Sequence, residues 1–305
     1  MGRGDGCVAM RRLKRYWRLL GEVFSVWNDG DASSLGAGVA FFTIFAIAPL
    51  FLLVLALAGF FFGQEAARRE LFGELSGLIG PTGGQAIQSV LAAADRPRAS
   101  VFATAVGLMT LFVGASSVFI QLQTSLNAVW NVRLKPGSGV RNFVKNRLLS
   151  FAMLLGIGFL LLVSLVVSAV LDGAAKYMSG IVPAHALFWQ VLDFLVSLCL
   201  SALLFALILK VLPDVTIAWR ETWIGASVTA LLFDLGKFLL GFYLGRSTVA
   251  SAYGAAGSLV VVLLWVYYSV QILLFGAAFT RVWAEKYGTK IEPIRGAEFI
   301  EANKT

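Results

Sequence analysis

Charge is the first thing this sequence lacks. Asp, Glu, Lys and Arg make up 14% of its 305 residues, against roughly a quarter in a soluble domain. So little charge argues against a water-soluble globule. Histidine is nearly missing, with His185 the only one. One histidine without a cysteine pair builds no metal site of the usual kind. The two cysteines form no framework either. Cys7 lies in the polar N-terminal tail and Cys199 inside an apolar run, so the two are expected at different depths or on different sides of a membrane. A phosphate loop, a G-x-S-x-G elbow and a dinucleotide fingerprint are all lacking. The acids are scattered, whereas a nuclease needs clustered carboxylates or histidines. The reading is therefore not an enzyme, with no cofactor and no metal. A cleavable signal peptide is not visible, because the first apolar run starts near Leu35 and is too long for an h-region.

What is present is apolar. Hydrophobic residues reach 58% and mean hydropathy is +0.81. Runs of about 20 or more apolar residues recur, long enough to cross a bilayer as helices. The expected fold is all-α: a polytopic bundle of six transmembrane helices. The spans fall at about 35–62, 100–125, 148–171, 187–212, 219–244 and 253–283, forming a transmembrane domain over 35–283 between tails at 1–34 and 284–305. Span six is longer than a bilayer needs and should tilt or project. The segment 63–99 carries amphipathic stretches broken at Gly80–Gly84, which predict a short helical cap outside the membrane.

The formal charge is +8, and its distribution is topological. Lys and Arg gather in the N-tail, the loop at 126–147, the turn after span four and the C-tail. The opposite loops hold only Arg68, Arg69, Arg96, Arg98, Lys176 and Arg246. That asymmetry predicts both termini in the cytoplasm. It also predicts anionic lipid headgroups as partners, and no nucleic acid. Within the N-tail, Leu13, Trp17, Leu20, Phe24 and Trp27 recur at steps of three and four beside Arg11, Arg12, Lys14, Arg15 and Arg18. This is an amphipathic helix expected to lie along the membrane surface.

Several stretches resemble the YihY/BrkB family of bacterial inner-membrane proteins. They are GAGVAFFTIFAIAPL (Gly36–Leu50), SSVFIQLQTSLNAVWNV (Ser116–Val132), LPDVTIAWRETWIGA (Leu212–Ala226) and the last two spans. The resemblance covers about Gly36–Trp283. It implies six transmembrane helices with cytoplasmic termini. It also carries an old ribonuclease label regarded as mistaken, a virulence association in one branch, and a suggested role in moving envelope lipid or solute. At the position of Asp234, relatives often carry glutamate, which keeps the charge.

The residues that stand out lie in span five. Asp234 and Lys237 sit three apart in an apolar run, and ionisable groups in lipid are costly. Helical spacing groups Ser227, Ala230, Asp234, Lys237 and Gly241 on one face, read as the interior face. Asp193 in span four is expected at similar depth, within reach of Lys237. Two roles compete: a polar centre of a translocation cavity, or an ion pair fixing spans four and five. Gln121 and Gln271 are candidates for a polar path, or for interhelical hydrogen bonds. Pro49 is a candidate hinge in span one, or a simple bend. Arg220 and Glu221 are read as headgroup anchors. The functions that follow are transport of a lipid or small solute, a structural or assembly role in the envelope, and, least favoured, a membrane-attached ribonuclease.

Overall fold

The computed structural model describes residues 4–44, 116–135, 186–246, 257–294 and 296–300, with isolated residues at 59–73 and at 156 and 163. In order these are α1 (Gly4–Asp29), α2 (Ala32–Ile44), α3 (116–129), β1 (Val132–Leu134), α4 (Ala186–Val211), β2 (Val215–Thr216), α5 (Trp219–Arg246), α6 (Gly257–Tyr287), β3 (Glu292–Pro293) and β4 (Ala297–Phe299). Among the described residues, three helices are long and apolar enough to cross a membrane: Phe194–Val211, Trp219–Leu240 and Val260–Tyr287. They coincide with spans four, five and six. Pro49, span three apart from two residues, and nearly all of the cap fall outside the described residues.

The helices end where local chemistry ends them. α4 stops just before Pro213, which has no amide hydrogen to continue the ladder. Its last-turn Lys210 donates to the Ile217 carbonyl and lies 5.4 Å from the Trp219 ring. The link 212–218 is thereby folded back, and α5 returns antiparallel to α4. Farther along both helices Phe205 meets Phe233, whose ring also meets Trp265 of α6, with centroid separations of 5.4 and 5.8 Å. This edge-to-face ladder joins the three spans, and aromatic pairs of this type contribute about 0.5–1.5 kcal/mol beyond burial. α3 gives way to a turn at Trp130, and Asn131 takes a left-handed φ of 56°. Asparagine tolerates that conformation better than most residues.

The N-terminal segment is a helix, α1, and it packs along α6. Leu19 and Val23 are buried, while Trp17, Leu20 and Phe24 stay exposed. Glu22 pairs with Lys286 near the C-terminal end of α6. Gln271, half a helix back, donates to the Ala32 carbonyl at 3.0 Å. α1 therefore runs antiparallel along α6 and keeps its aromatic stripe turned outward. Asp31, with φ of 50°, turns the chain into α2.

One departure from an all-helical chain concerns the C-tail. It is not a simple tail. β4 pairs antiparallel with β1, with Arg133 opposite Glu298, and β3 pairs with β2. Trp130, Val132, Val215 and Ile217 pack beneath these strands as a small separate core. The strands are two or three residues long, too short for periodicity to announce them. We call this the clasp end of the bundle.

Candidate intramembrane polar site

Asp234 and Lys237 lie past the middle of α5, away from the clasp. The Lys237 Nζ stands 3.4 Å from an Asp234 carboxylate oxygen. The Asp234 side chain is 11% exposed and that of Lys237 34%. Among the described residues neither carboxylate oxygen has a hydrogen-bond partner, so the lysine contact is one of charge rather than hydrogen-bond geometry. The pair sits within one helix at i,i+3. It neutralises the carboxylate and, among the described residues, ties α5 to no other helix.

The buried face of α5 differs from the face expected. Ser227 is exposed. The residues facing α6 and α4 are Thr222, Ala226, Thr229 and Ala230, all buried, with Gly225 and Gly236. Asp234 and Lys237 border this face instead of centring it. The spacing argument took the polar residues as the interior marker, whereas small residues set the close approach of helices in lipid. Two G-x-x-x-T stretches show this: Gly225–Thr229 on α5 and Gly276–Thr280 on α6. A Cβ on Gly225 would lie 1.8 Å from Thr280 Oγ1, and one on Gly276 would lie 1.9 Å from Thr229 Oγ1. Each threonine hydroxyl donates to the glycine carbonyl of its own helix, both at 2.7 Å. Each threonine thus packs on the other helix's glycine with its hydroxyl already satisfied.

The other sequence candidates are placed as follows. Asp193 lies on α4, which as the antiparallel neighbour of α5 carries it, like Lys237, beyond the Phe205–Phe233 contact as seen from the link. Its side chain is outside the described residues. Gln121 packs against Gly38 of α2. Gln271 packs against Gly36 and bonds the start of α2, with its Oε1 buried and unpartnered among the described residues. The two glutamines therefore flank α2. Of the polar stripe on span two, Thr124 is exposed and donates back to the Ile120 carbonyl at 2.8 Å. Pro49 lies outside the described residues.

The spacing argument missed a node at the clasp end. Asp214 is 4% exposed. Its carboxylate accepts from Asn127 Nδ2 at 2.7 Å and from Gln123 Nε2 at 3.2 Å, and its amide donates to Asn127 Oδ1 at 2.8 Å. Its carbonyl accepts from the Ile294 amide. One residue thereby joins α3, the α4–α5 link and the C-terminal strand. Glu221, read as a headgroup anchor, is buried instead. It accepts from the Thr289 amide at 3.3 Å under the last turn of α6. Arg220 is exposed. Arg281 donates to the Val129 carbonyl at 2.7 Å, capping the C-terminus of α3 where a cation is favoured.

Comparison with known proteins follows this geometry. The sequence profile described as "Virulence factor BrkB" matches residues 23–299. The chain belongs to the virulence factor BrkB family. Similar proteins include a UPF0761 membrane protein of Ralstonia nicotianae, 32% identical over 57% of this chain and 38% of that protein. A UPF0761 membrane protein of Tolumonas auensis is 27% identical over 92% of this chain and 87% of its own. One from Alcanivorax borkumensis is 26% identical over 88% and 60%. The chain spans less than two thirds of the Ralstonia and Alcanivorax proteins. No solved structure matches.

The stretches that carry the BrkB resemblance meet in space. Ser116–Val132 supplies Gln123, Asn127 and Trp130, while Leu212–Ala226 supplies Asp214, Glu221 and Gly225. Among the described residues, hydrogen bonds between distant segments of this membrane protein gather at its clasp end, the Gln271 bonds to the start of α2 apart. Asp234 and Lys237 stand apart from it.

Proposed function

We propose that this BrkB-family membrane protein is a six-span bundle of the bacterial inner membrane with both termini in the cytoplasm. In this reading it moves a lipid, a lipid-linked molecule or a small envelope solute, without catalysing a reaction. The clasp end then faces the cytoplasm, and Asp234 with Lys237 forms the polar centre of the path, with Asp193 as third member.

One observation carries the reading. The Asp234–Lys237 pair is confined to a single helix, with the carboxylate lone pairs uncommitted among the described residues. A charge at a span's centre costs about 2.5–3.5 kcal/mol on insertion scales. An ion pair that joined α4 to α5 would offset that cost through packing, and among the described residues this one joins no helices. A carboxylate held near an ammonium but free of hydrogen bonds can accept a hydrogen bond from a donor group of a passing solute.

The test is reconstitution in liposomes, with solute flux and lipid scrambling measured for wild type, Asp234→Asn, and Asp234→Asn with Lys237→Gln. Loss of transport with retained helicity is the expected result. A folded double variant with undiminished flux and scrambling sinks the reading.

A further inference from the structure

At the clasp end, the last turns of α6, the loop after it, Trp130 and β4 line a cavity of about 320 Å³. Asp234 and Lys237 lie towards the other end of α5, and the transport path makes no use of this cavity. Four of its lining residues carry hydrogen-bond donors. Arg281 commits two of its five N–H groups, one to Glu285 Oε1 at 2.8 Å and one to the Val129 carbonyl at 2.7 Å. Three therefore stay uncommitted among the described residues. Trp130 is 1% exposed, and its buried indole N–H has no acceptor among the described residues. A buried tryptophan N–H usually finds one. Thr289 and Lys290 add a hydroxyl and an ammonium from the loop. We infer that this cavity binds the phosphate group of a phosphate ester.

Charge, donor placement and wall chemistry select that ligand. Among the charged lining residues, Arg281 and Lys290 stand against Glu285, so positive charge is in excess. Lys290 also lies 3.4 Å from Glu292, but those side chains are 86% and 62% exposed. Surface pairs of this kind are weak and yield to a ligand. The donors come from separate segments: Arg281 from α6, Trp130 from the turn after α3, Thr289 and Lys290 from the loop. Donors spread in this way suit a tetrahedral oxyanion, whose oxygens diverge, better than a planar carboxylate. The guanidinium fork also matches phosphate geometry. Phe299, exposed on β4, adds an apolar wall, which favours an ester over inorganic phosphate. The volume is near the lower end for ligand sites, roughly 300–1,000 Å³, and suits a phosphate with a small substituent. Such an ester has two sources, a soluble organic phosphate or the headgroup of an anionic phospholipid. Because Arg281 also caps α3, an occupied site would tighten α3, α6 and β4 together.

Titration calorimetry on the full chain in neutral detergent micelles, at constant ionic strength, tests this. The soluble probe is phenyl phosphate, with phenol as its control. The lipid probe is dihexanoyl phosphatidylglycerol, with dihexanoyl phosphatidylcholine as its control. The expected result is saturable binding of at least one probe and not of its control. Saturation by phenyl phosphate assigns a soluble ligand, and saturation by phosphatidylglycerol alone assigns a lipid headgroup. Trp130→Phe keeps the aromatic bulk and removes the N–H. It should weaken binding at least about tenfold, the effect of one hydrogen bond to a charged group. Lys290→Gln should weaken it by up to about fivefold. A control bound as tightly as its probe would mean that the phosphate charge is not recognised, and would overturn the site. So would the absence of saturable binding by both probes, or binding that both variants leave unchanged. Should Trp130→Phe fold poorly, Lys290→Glu decides. On so exposed a side chain it should leave the fold intact and raise the half-saturating concentration at least about fivefold; unchanged binding would overturn the site.

Discussion

Gly276→Ala tests the contact on which spans five and six depend. The added methyl carbon would stand 1.9 Å from Thr229 Oγ1 and 3.0 Å from its Cβ. Ordinary contact begins near 3.4 Å, so α5 and α6 must part by about 1.5 Å or Thr229 must leave its rotamer. The rotamer is held by the 2.7 Å hydrogen bond to the Gly225 carbonyl, and β-branched side chains have few alternatives in a helix. Overpacking of this kind costs about 1–3 kcal/mol. Thr229→Ala alone removes a methyl group and a satisfied hydroxyl, at about 0.5–1.5 kcal/mol. Combined, the substitutions relieve the worst of the clash, so the double variant should be less destabilised than the sum by at least about 0.5 kcal/mol. The measurement is reversible unfolding in mixed detergent micelles, followed by far-UV circular dichroism. Strict additivity, or a Gly276→Ala protein as stable as wild type, would refute the register in which each threonine sits on the opposite glycine.

Three further outcomes are expected. Asp214→Asn exchanges an acceptor for a donor facing Asn127 and Gln123, and should cost about 1–3 kcal/mol of stability in a thermal melt; an unchanged melt would show that the node does not hold the link. Lys286→Glu should loosen α1, raising its hydrogen exchange, and Glu22→Lys in the same chain should restore protection. The single effect should be at most about 1 kcal/mol and shrink in high salt. A topology reporter fused after Lys176 should read as extracytoplasmic, and cytoplasmic activity there would break the six-span arrangement.

Long apolar runs made spans four, five and six legible in the sequence, because helix length and hydropathy are local properties. Periodicity along Leu13–Trp27 also identified α1 as a helix. It did not identify α6 as its neighbour, because Glu22 and Lys286 are far apart in sequence and common on any surface. The polar stripe on α5 was misjudged at Ser227. In lipid the interior is marked by what permits close approach, and Gly225, Ala226 and Thr229 do that better than a serine. The Asp214 node was illegible for another reason. Its three side chains come from two segments 87 or more residues apart, and nothing in either spacing joins them. The G-x-x-x-T stretch on each of the two helices was the available signal for the α5–α6 contact.

The distribution of fasteners bears on what the intramembrane charges are for. At the clasp end, Asp214 ties three segments, Glu221 holds the turn after α6, and Arg281 caps α3. Along the spans, the Phe205–Phe233–Trp265 ladder and the glycine–threonine pairs fix α4, α5 and α6 without a charge. These contacts along the middle of the three spans are thus made by neutral groups, whereas the charged Lys210 meets the Trp219 ring only at the α4–α5 link. Among the described residues Asp234 and Lys237 form no ion pair or hydrogen bond between helices, and a leucine and an alanine would fit the border of that face at lower desolvation cost. A sequence selected only for bundle stability would place apolar residues there. The polar path proposed above would give the two charges a reason to stand at that border.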